Sequence, residues 1–363
     1  MEHLKEINAR RNKMKVKECL WCSDKNAIKS HFIQEKKLKI IANNGEIFYI
    51  DYLNHYNNLD FKKIGCKKAT TMTAFCQKHD KEIFKEIEDK PYENTELQNL
   101  EYFIRTIAKE FQLKKEFEKS LFDQFYLKSF CEIDNALNAV NYIIPRFNEL
   151  KNLYNSVKSI ENKNIVKEKI DKVISTIYLK LDYPCGFIFS KAIVYKELFI
   201  PHNLPIISIN IFIENNQTHI VVSYFNDSRN IESVKNFLNF LQIKESQLIF
   251  LSSILLENNH NIYFSYDFIS KLSINLKKDI LEYSIFRSAD IRTIFSIFSP
   301  YNVFSDIFYK KFFKILLLLN KNQIEEEYLK LLSYGTYKKY YFFKNCNLKF
   351  NLFSIIKNKV YAT

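Results

Sequence analysis

Glycine is scarce in this chain, and the positions of the few glycines exclude several large classes of enzyme. Only four occur among 363 residues, at positions 45, 65, 186 and 335. Phosphate-binding loops and nucleophile elbows need glycines close together, because their tight turns leave no room for a Cβ atom. The sequence therefore excludes Walker-type ATPases, Rossmann-type dehydrogenases and α/β-hydrolases.

A long apolar run is also absent. The longest candidate, residues 312–319, is interrupted by Lys314 and is much shorter than the roughly 18 residues that a membrane span needs. Residues 1–18 carry charges throughout and contain no apolar segment typical of a secretion signal. We therefore expect a soluble, cytoplasmic protein with no membrane partner. Seven cysteines, an odd number, then indicate free thiols or metal ligands rather than disulfide bridges.

Basic residues outnumber acidic ones, 54 to 41, which gives a net charge of +13. Such an excess favours a nucleic-acid partner, although AT-rich coding, which enriches Lys, Asn, Ile, Phe and Tyr together, would also produce it. The distribution is more informative, because residues 1–80 alone hold 16 Lys and Arg against 9 Asp and Glu. The candidate nucleic-acid-binding residues form two basic stretches: Arg10, Arg11, Lys13, Lys15 and Lys17, then Lys62, Lys63, Lys67 and Lys68.

Apolar spacing along the chain predicts an α+β protein in four parts. Thr95 and Gln98 have the spacing of a capping box, and apolar residues then recur at helical steps as far as residues 165–177. Short β-branched and aromatic runs at 187–194, 205–213, 219–225 and 248–251 predict strands, with a helix at 231–241. We expect four parts: a zinc-binding module (1–90), a helical domain (91–182), a mixed α/β domain (183–270) and a helical C-terminal region (271–363).

Two short motifs in the first part have the spacing of metal ligands. Cys19 and Cys22 form a C-x2-C knuckle, and Cys76 and His79 form a C-x2-H pair after 53 intervening residues. Two such pairs can complete a tetrahedral Zn²⁺ site of the treble-clef kind. A redox C-x2-C motif, which would need a βαβ context, and coincidental free thiols remain open alternatives. Cys66 stands alone and is expected to be a free thiol.

The segment between the two motifs adds a resemblance. Ser30 and His31 are followed by Phe-Ile, and residues 75–84 read F-C-Q-K-H-D-K-E-I-F. These motifs resemble the zinc-bearing version of the HNH, or ββα-metal, fold. More closely, they are similar to a family of bacterial proteins with C-x2-C, S-H-I and F-C-x2-H-D signatures, few of them characterised and some associated with antiphage defence. The resemblance covers residues 19–110, including a helix over 102–110.

The resemblance implies a metal-dependent endonuclease. In HNH nucleases a histidine on the first strand activates the attacking water, and His31 stands in that place. A divalent cation, Mg²⁺ or Mn²⁺, stabilises the leaving group, and its ligand comes from the helix after the second zinc pair, where this chain has Asp80. The chain departs from the HNH pattern at three points: residues 70–73 replace the middle Asn, Asp80 replaces the final His, and Ser30 precedes the first His.

Other interpretations stay open from sequence alone. One alternative is a catalytically inactive zinc module, which would be a nucleic-acid-binding unit or a protein-interaction module with a protein partner or a second copy. His31 has two further interpretations, as a zinc ligand in place of His79 or as a buried histidine bonded to backbone. Trp21 has two as well, stacking on a base or packing against the zinc lobe. His55 is more typical of an exposed loop than of the site.

Overall fold

The computed structural model describes residues 17–50, 60–123, 130–194, 206–226 and 261–272, together with Ile274, Lys277 and Leu281. Helices and strands are mixed, which confirms the predicted α+β class. The described helices are α1 (Glu35–Ile41), α2 (Gln77–Ile83), α3 (Lys85–Asp89), α4 (Glu96–Asp123), α5 (Phe130–Val157), α6 (Lys163–Asp171) and α7 (Tyr266–Lys271). The described strands are β1 (Ala27–His31), β2 (Glu46–Ile50), β3 (Phe61–Gly65), β4 (Thr71–Cys76), β5 (Ile174–Leu181), β6 (Phe187–Val194), β7 (Ile206–Glu214), β8 (Gln217–Phe225) and β9 (Ile262–Phe264).

The described residues fall into two compact units. The first holds residues 17–47, 64–123, 130–194 and 206–226, and the second holds 48–50, 60–63 and 261–272. In the second unit, Phe48 of β2 pairs with Phe264 of β9, and the Phe61 ring meets the Phe264 ring edge to face. The predicted boundaries at residues 90, 182 and 270 stay predictions. No helix in the described ranges is long and apolar enough to cross a membrane.

A two-stranded antiparallel sheet of β1 and β4, followed by a helix, forms the N-terminal part of the first unit. We call this strand pair the hairpin, although residues 32–70 separate its strands in sequence. Strands β1 and β4 are antiparallel, with Ala27 opposite Cys76 and His31 opposite Thr71. Helix α2 begins at the residue after Cys76, so the end of β4 and the first turn of α2 are one continuous piece of backbone. The loop before β1 is fastened to this hairpin because the Leu20 N–H donates to the Ala74 carbonyl at 2.8 Å.

Two 28-residue helices, α4 and α5, pack against each other, and α4 also packs on strands β6 and β7. The Thr95 hydroxyl accepts the Gln98 N–H at 3.3 Å, so the predicted N-terminus of this helix is confirmed. The helical spacing of Leu100, Phe103 and Ile107 buries all three side chains completely. This apolar face is what holds the helix on the sheet.

The first unit's sheet is an antiparallel arrangement in the order β6-β7-β8-β5. The strands predicted at 187–194, 205–213 and 219–225 are present as β6, β7 and β8. Strands β7 and β8 are joined at Asn215 and Asn216, which both have positive φ, as a tight hairpin turn requires. The strand at 248–251, the helix at 231–241 and nearly all of the C-terminal region lie outside the described residues.

The helical spacing that the sequence predicts through residues 165–177 does not hold to its end. Helix α6 ends at Asp171, and Ile174–Leu181 forms strand β5, which pairs with β8 along its whole length. Ile170, Ile174 and Ile177 fit a helical step, but β-branched and aromatic residues dominate after residue 173 and favour a strand. In so short a run the apolar residues fit both the helical and the strand repeat, and the presence of a partner strand determines which structure forms.

Candidate metal centre and the adjoining histidine

Four side chains that are distant in sequence converge at one end of the hairpin. Cys19 and Cys22 come from the loop before β1, Cys76 is the last residue of β4, and His79 lies in the first turn of α2. Their donor atoms all lie within 4.8 Å of one another. Within the described ranges, this is the one group of three or more His, Cys, Asp or Glu donors that lie so close.

The spacing of these donors fits a tetrahedral ion. The Cys22 and Cys76 sulfurs are 3.9 Å apart, and His79 Nδ1 lies 3.7 Å from Cys19 Sγ and 3.2 Å from Cys76 Sγ. Ligands at about 2.3 Å from a central Zn²⁺ would be roughly 3.8 Å apart in a tetrahedron. The residues predicted as zinc ligands therefore lie together, and the set of three thiols and one imidazole can hold a metal such as zinc.

The environment of the cluster acts differently on its members. Burial raises the pKa of the Cys19 thiol. Burial also opposes ionisation of Cys76. Hydrogen bonds from the His79 backbone N–H and from the Cys19 and Cys22 thiols together have a larger effect, so the pKa of Cys76 is lowered. Burial lowers the pKa of His79, which favours the neutral imidazole that a metal ion requires. A thiolate therefore forms more easily at Cys76 than at Cys19.

Trp21 packs behind the metal ligands and is not available for stacking on a base. Its side chain is buried, and its ring meets Phe147 at 6.1 Å and Tyr154 at 5.7 Å, both edge to face. The His79 ring lies 6.3 Å away on another side. Because Phe147 and Tyr154 belong to α5, Trp21 attaches the C-x2-C loop to that helix. The packing alternative of the sequence analysis is therefore the one observed.

His31 lies at the end of β1 and outside the metal cluster. Its Nδ1 atom is 3.1 Å from the Thr70 hydroxyl, and its Nε2 atom is 3.8 Å from a carboxylate oxygen of Glu35. Burial lowers the pKa of His31, whereas Glu35 and the Ala69 carbonyl act in the opposite direction. His79, not His31, completes the metal cluster, and His31 is held as a half-buried, predominantly neutral imidazole.

Asp80 lies on helix α2 and interacts electrostatically with this histidine. Burial raises the pKa of Asp80, while the charge of Arg105, the Ser30 hydroxyl and, when it is protonated, His31 act against that rise. The Oδ1 atom of Asp80 is buried and has no hydrogen-bond partner among the described residues. A buried carboxylate oxygen without a partner is uncommon in a folded protein and indicates a place for an ion or a water.

Among the neighbouring charges, that of Arg105 has the largest effect on the pKa of Asp80. No motif in the sequence marks Arg105 for this role. Arg105 lies on α4 with only 2% of its surface exposed, and its Nη1 donates to Glu88 Oε1 at 2.5 Å. Its guanidinium lies 4.0 Å above the Phe84 ring. An arginine on a helix that carries many other charged residues has no distinguishing sequence signal. Neither do Thr70 and Glu35, whose roles depend on contacts that the fold creates.

The predicted nucleic-acid-binding residues are only partly described. Arg10, Arg11, Lys13 and Lys15 lie outside the described residues, as does His55. Lys17, Lys67 and Lys68 are exposed in the first unit. Lys62 and Lys63 belong to the second unit, where Lys62 is half-buried and the Lys63 ammonium lies 5.9 Å from the centre of the Phe48 ring. The two halves of the second basic stretch therefore belong to different units.

No protein-family model, curated protein or solved structure matches this chain. The resemblance of residues 19–110 to HNH proteins therefore stays a prediction from sequence motifs. Function has to be inferred from the geometry of the metal cluster, His31 and Asp80.

Proposed function

We propose that this chain is a metal-dependent endonuclease of the HNH type, which hydrolyses phosphodiester bonds in nucleic acid. One observation carries the proposal: half-buried His31, at the end of β1, interacts electrostatically with Asp80, whose buried Oδ1 atom has no hydrogen-bond partner among the described residues. Asp80 directly follows His79 of the Cys3His cluster. The resemblance over residues 19–110 extends the proposal to a role in bacterial defence against phage.

His31 would act as the general base. An imidazole accepts a proton only when it is neutral, and burial keeps the pKa of His31 below its ordinary value. Glu35 lies near the nitrogen that faces away from Thr70 and would stabilise the positive charge that His31 acquires. Glu35 would act through its charge on the Nε2 side of the ring, unlike the carboxylate of a Ser-His-Asp triad, which bonds the nitrogen opposite the base.

Asp80 would hold the divalent cation. Its Oδ1 atom is a hard oxygen donor that lacks a hydrogen bond within the described part of the chain, which fits the preference of Mg²⁺ and Mn²⁺ for carboxylates. The cation, when bound, would stabilise negative charge on the phosphate and on the leaving 3′ oxygen. Arg105 acts to keep Asp80 ionised, and an ionised carboxylate is the form that binds a cation.

The Cys3His cluster would have a structural role. Four protein ligands fill a tetrahedral zinc site and leave no position for water or substrate, which is typical of structural rather than catalytic zinc. The ion would join the C-x2-C loop, the end of β4 and the start of α2. Since His31 lies on β1 and Asp80 directly follows His79, this junction would also set the distance between the two proposed catalytic residues.

Exposed lysines near His31 provide a surface for the phosphate backbone. Lys67 and Lys68 lie in the turn that leads to Thr70, the residue that contacts His31. The charge of Lys67 also acts on Glu35 and helps to lower its pKa, after the larger effect of Lys39. Phosphate contacts of this kind position nucleic acid without reading its sequence.

The test is cleavage of supercoiled plasmid and of total RNA by the purified protein with Mg²⁺ or Mn²⁺. We expect wild-type cleavage, a loss of about 100-fold or more in His31→Ala and Asp80→Asn, and near-normal activity in Lys81→Ala, an exposed control on α2. All variants should be compared at equal zinc content. Absence of cleavage by the wild-type protein on both substrates with both metals would contradict the proposal.

A catalytically inactive nucleic-acid-binding module is the second candidate. The observation that favours it is Arg105, because its buried guanidinium already supplies a positive charge to Asp80 and would compete with a divalent cation. This candidate predicts salt-sensitive binding of plasmid or RNA without cleavage, and binding that His31→Ala leaves unchanged. Absence of both binding and cleavage would instead favour the protein-interaction alternative.

A further inference from the structure

Thr70 has an unusual backbone conformation directly beside His31. Its φ is +57°, in the left-handed region that β-branched residues rarely adopt, and its side chain is buried. Its carbonyl accepts the Phe32 N–H at 2.8 Å, and its hydroxyl lies 3.0 Å from the Ile33 carbonyl. A threonine kept in this conformation is held by contacts on both its backbone and its side chain, and both sets of contacts reach the residues that follow His31.

The proton count at the Thr70 hydroxyl determines which nitrogen of His31 carries its proton. A threonine hydroxyl has one proton to donate and two lone pairs to accept with. The Ile33 carbonyl can only accept, so the hydroxyl proton is used in that bond. The hydroxyl can then only accept from His31 Nδ1, which lies 3.1 Å away. Both contacts are hydrogen bonds together only when Nδ1 of the neutral imidazole is protonated.

The separation of the other nitrogen from Glu35 agrees with this assignment. His31 Nε2 lies 3.8 Å from Glu35 Oε2, which is beyond hydrogen-bond distance. If Nε2 carried a proton, the adjacent carboxylate would be a strong acceptor and a shorter contact would be favoured. Glu35 instead uses its other oxygen to bind Lys39 at 2.9 Å. An unprotonated Nε2 fits this separation.

We propose that Thr70 is a positioning residue that fixes neutral His31 as the Nδ1–H tautomer, so that Nε2 is left as the proton acceptor. The inference deepens the proposed endonuclease function and rests on it for the meaning of Nε2 as the base. Thr70 takes this role through its hydroxyl, at the start of the segment where the HNH pattern would have an Asn. This role of the hydroxyl explains why a strained threonine is present at a position where the backbone conformation alone would favour glycine or asparagine.

The tautomer can be measured without any assay of cleavage. Two-bond ¹H–¹⁵N correlation spectra of ¹⁵N-histidine-labelled, zinc-loaded full-length protein distinguish protonated from unprotonated ring nitrogens, and His31→Gln assigns the signal. The spectra are recorded without Mg²⁺ and above the pKa of the imidazole. We expect Nδ1–H in the wild type and in Thr70→Ser, which keeps the hydroxyl. In Thr70→Val, which keeps the shape and loses the acceptor, we expect a shift toward Nε2–H, the form that predominates in free histidine.

Two results would overturn the inference: an Nε2–H tautomer in the wild type, or an unchanged Nδ1–H tautomer in Thr70→Val. Zinc content and circular dichroism establish that each variant is folded, and the wild-type spectrum decides the question even if Thr70→Val does not fold. In the cleavage assay we expect a loss of about 10-fold in Thr70→Val and recovery in Thr70→Ser. If no protein cleaves, the endonuclease proposal fails, while the tautomer measurement still decides the role of Thr70.

Discussion

The Glu35 carboxylate lies four residues from His31, at the start of the next helix, with its Oε2 atom 3.8 Å from His31 Nε2. The two residues belong to different elements, since His31 ends β1 and Glu35 begins α1. The negative charge of Glu35 raises the pKa of His31 against the larger, opposite effect of burial. The availability of His31 as a base near neutral pH is therefore a balance between these two effects.

The variant Glu35→Gln should lower the pKa of His31 further. The substitution removes the charge that favours the imidazolium and leaves burial unopposed by it. The titration of the His31 ring signals by NMR measures the change directly. If His31 is the general base, the acid limb of the pH profile of cleavage should move to lower pH by the same amount, because the base must be deprotonated to act.

Lys39→Gln is the matched control for that titration. Lys39 binds Glu35 at 2.9 Å and is mostly exposed, and removal of its charge takes away the one cation that Glu35 binds in this ion pair. The pKa of His31 should then stay where it is or rise. A fall in the pKa of His31 in Lys39→Gln, or no fall in Glu35→Gln, would mean that Glu35 does not control the imidazole.

Removal of single cysteines should separate metal ligands from ordinary thiols. We expect about one zinc ion per chain in the wild type and almost none in Cys19→Ser or Cys76→Ser, measured by elemental analysis. Structural zinc contributes on the order of 10 kcal/mol to folding, so the hairpin and α2 should also lose hydrogen-exchange protection. Cys66→Ser is the control, because Cys66 is a buried free thiol outside the cluster. Full zinc in both ligand variants would disprove the site.

The metal ligands were predictable from sequence because their signal is local. Cys19 with Cys22, and Cys76 with His79, each have a fixed spacing that a turn or a helix start converts into a fixed geometry. Strands β6, β7 and β8 were predictable for a similar reason, since continuous β-branched runs bounded by turn residues have few alternative structures. The spacing of the ligands does not identify the ion, and it does not predict what the neighbouring His31 and Asp80 do.

The other side chains of the site were not predictable, because their roles arise from long-range contacts. Thr70 lies 39 residues from His31 in sequence, and its positive φ has no signature in a threonine. Arg105 reaches the Asp80 region from α4, whose sequence pattern only marks which residues are apolar. Strand β5 was mistaken for helix because its isoleucines fit both periods and its partner strand lies more than 35 residues further along the chain. Tertiary context decided each of these cases.

The variant Glu214→Gln should destabilise the first unit by about 3 kcal/mol, the usual cost of leaving a buried charge unpaired. Lys37 of α1 is only 2% exposed, and its ammonium binds Glu214 of β7 at 2.5 Å. The neutral amide would keep the shape and lose the charge. Urea unfolding monitored by circular dichroism gives the free energy of unfolding.

The double variant Lys37→Met, Glu214→Gln tests the cause of that loss. If the penalty comes from the unpaired ammonium, removal of Lys37 as well should restore most of the stability, because a methionine can pack against the Phe212 ring that Lys37 now covers. An equal or greater loss in the double variant would show instead that the ion pair is itself the source of stability between α1 and β7.

The stability of the first unit should fall as the pH drops, in part because of His219. This histidine is buried in β8, with its ring parallel to Phe212 at 5.3 Å and its Nδ1 atom 2.9 Å from the Tyr178 hydroxyl. Burial lowers its pKa, so the unfolded chain binds the proton more readily than the folded one. The stability that the neutral ring contributes is therefore complete above the unfolded pKa of about 6.5 and is lost as the pH falls through the lower folded value.

His219→Phe should make the free energy of unfolding less dependent on pH in that window, because a phenyl ring can keep the stack and cannot be protonated. Urea unfolding at pH 7.5 and at pH values below about 6.5 measures the difference from wild type. Tyr178→Phe is the control, since it removes the hydroxyl that contacts Nδ1 and leaves the titratable ring in place. It should lower stability while the wild-type fall with acid remains. An identical acid dependence in wild type and His219→Phe would show that the buried imidazole is not a source of acid sensitivity, and that other groups carry it.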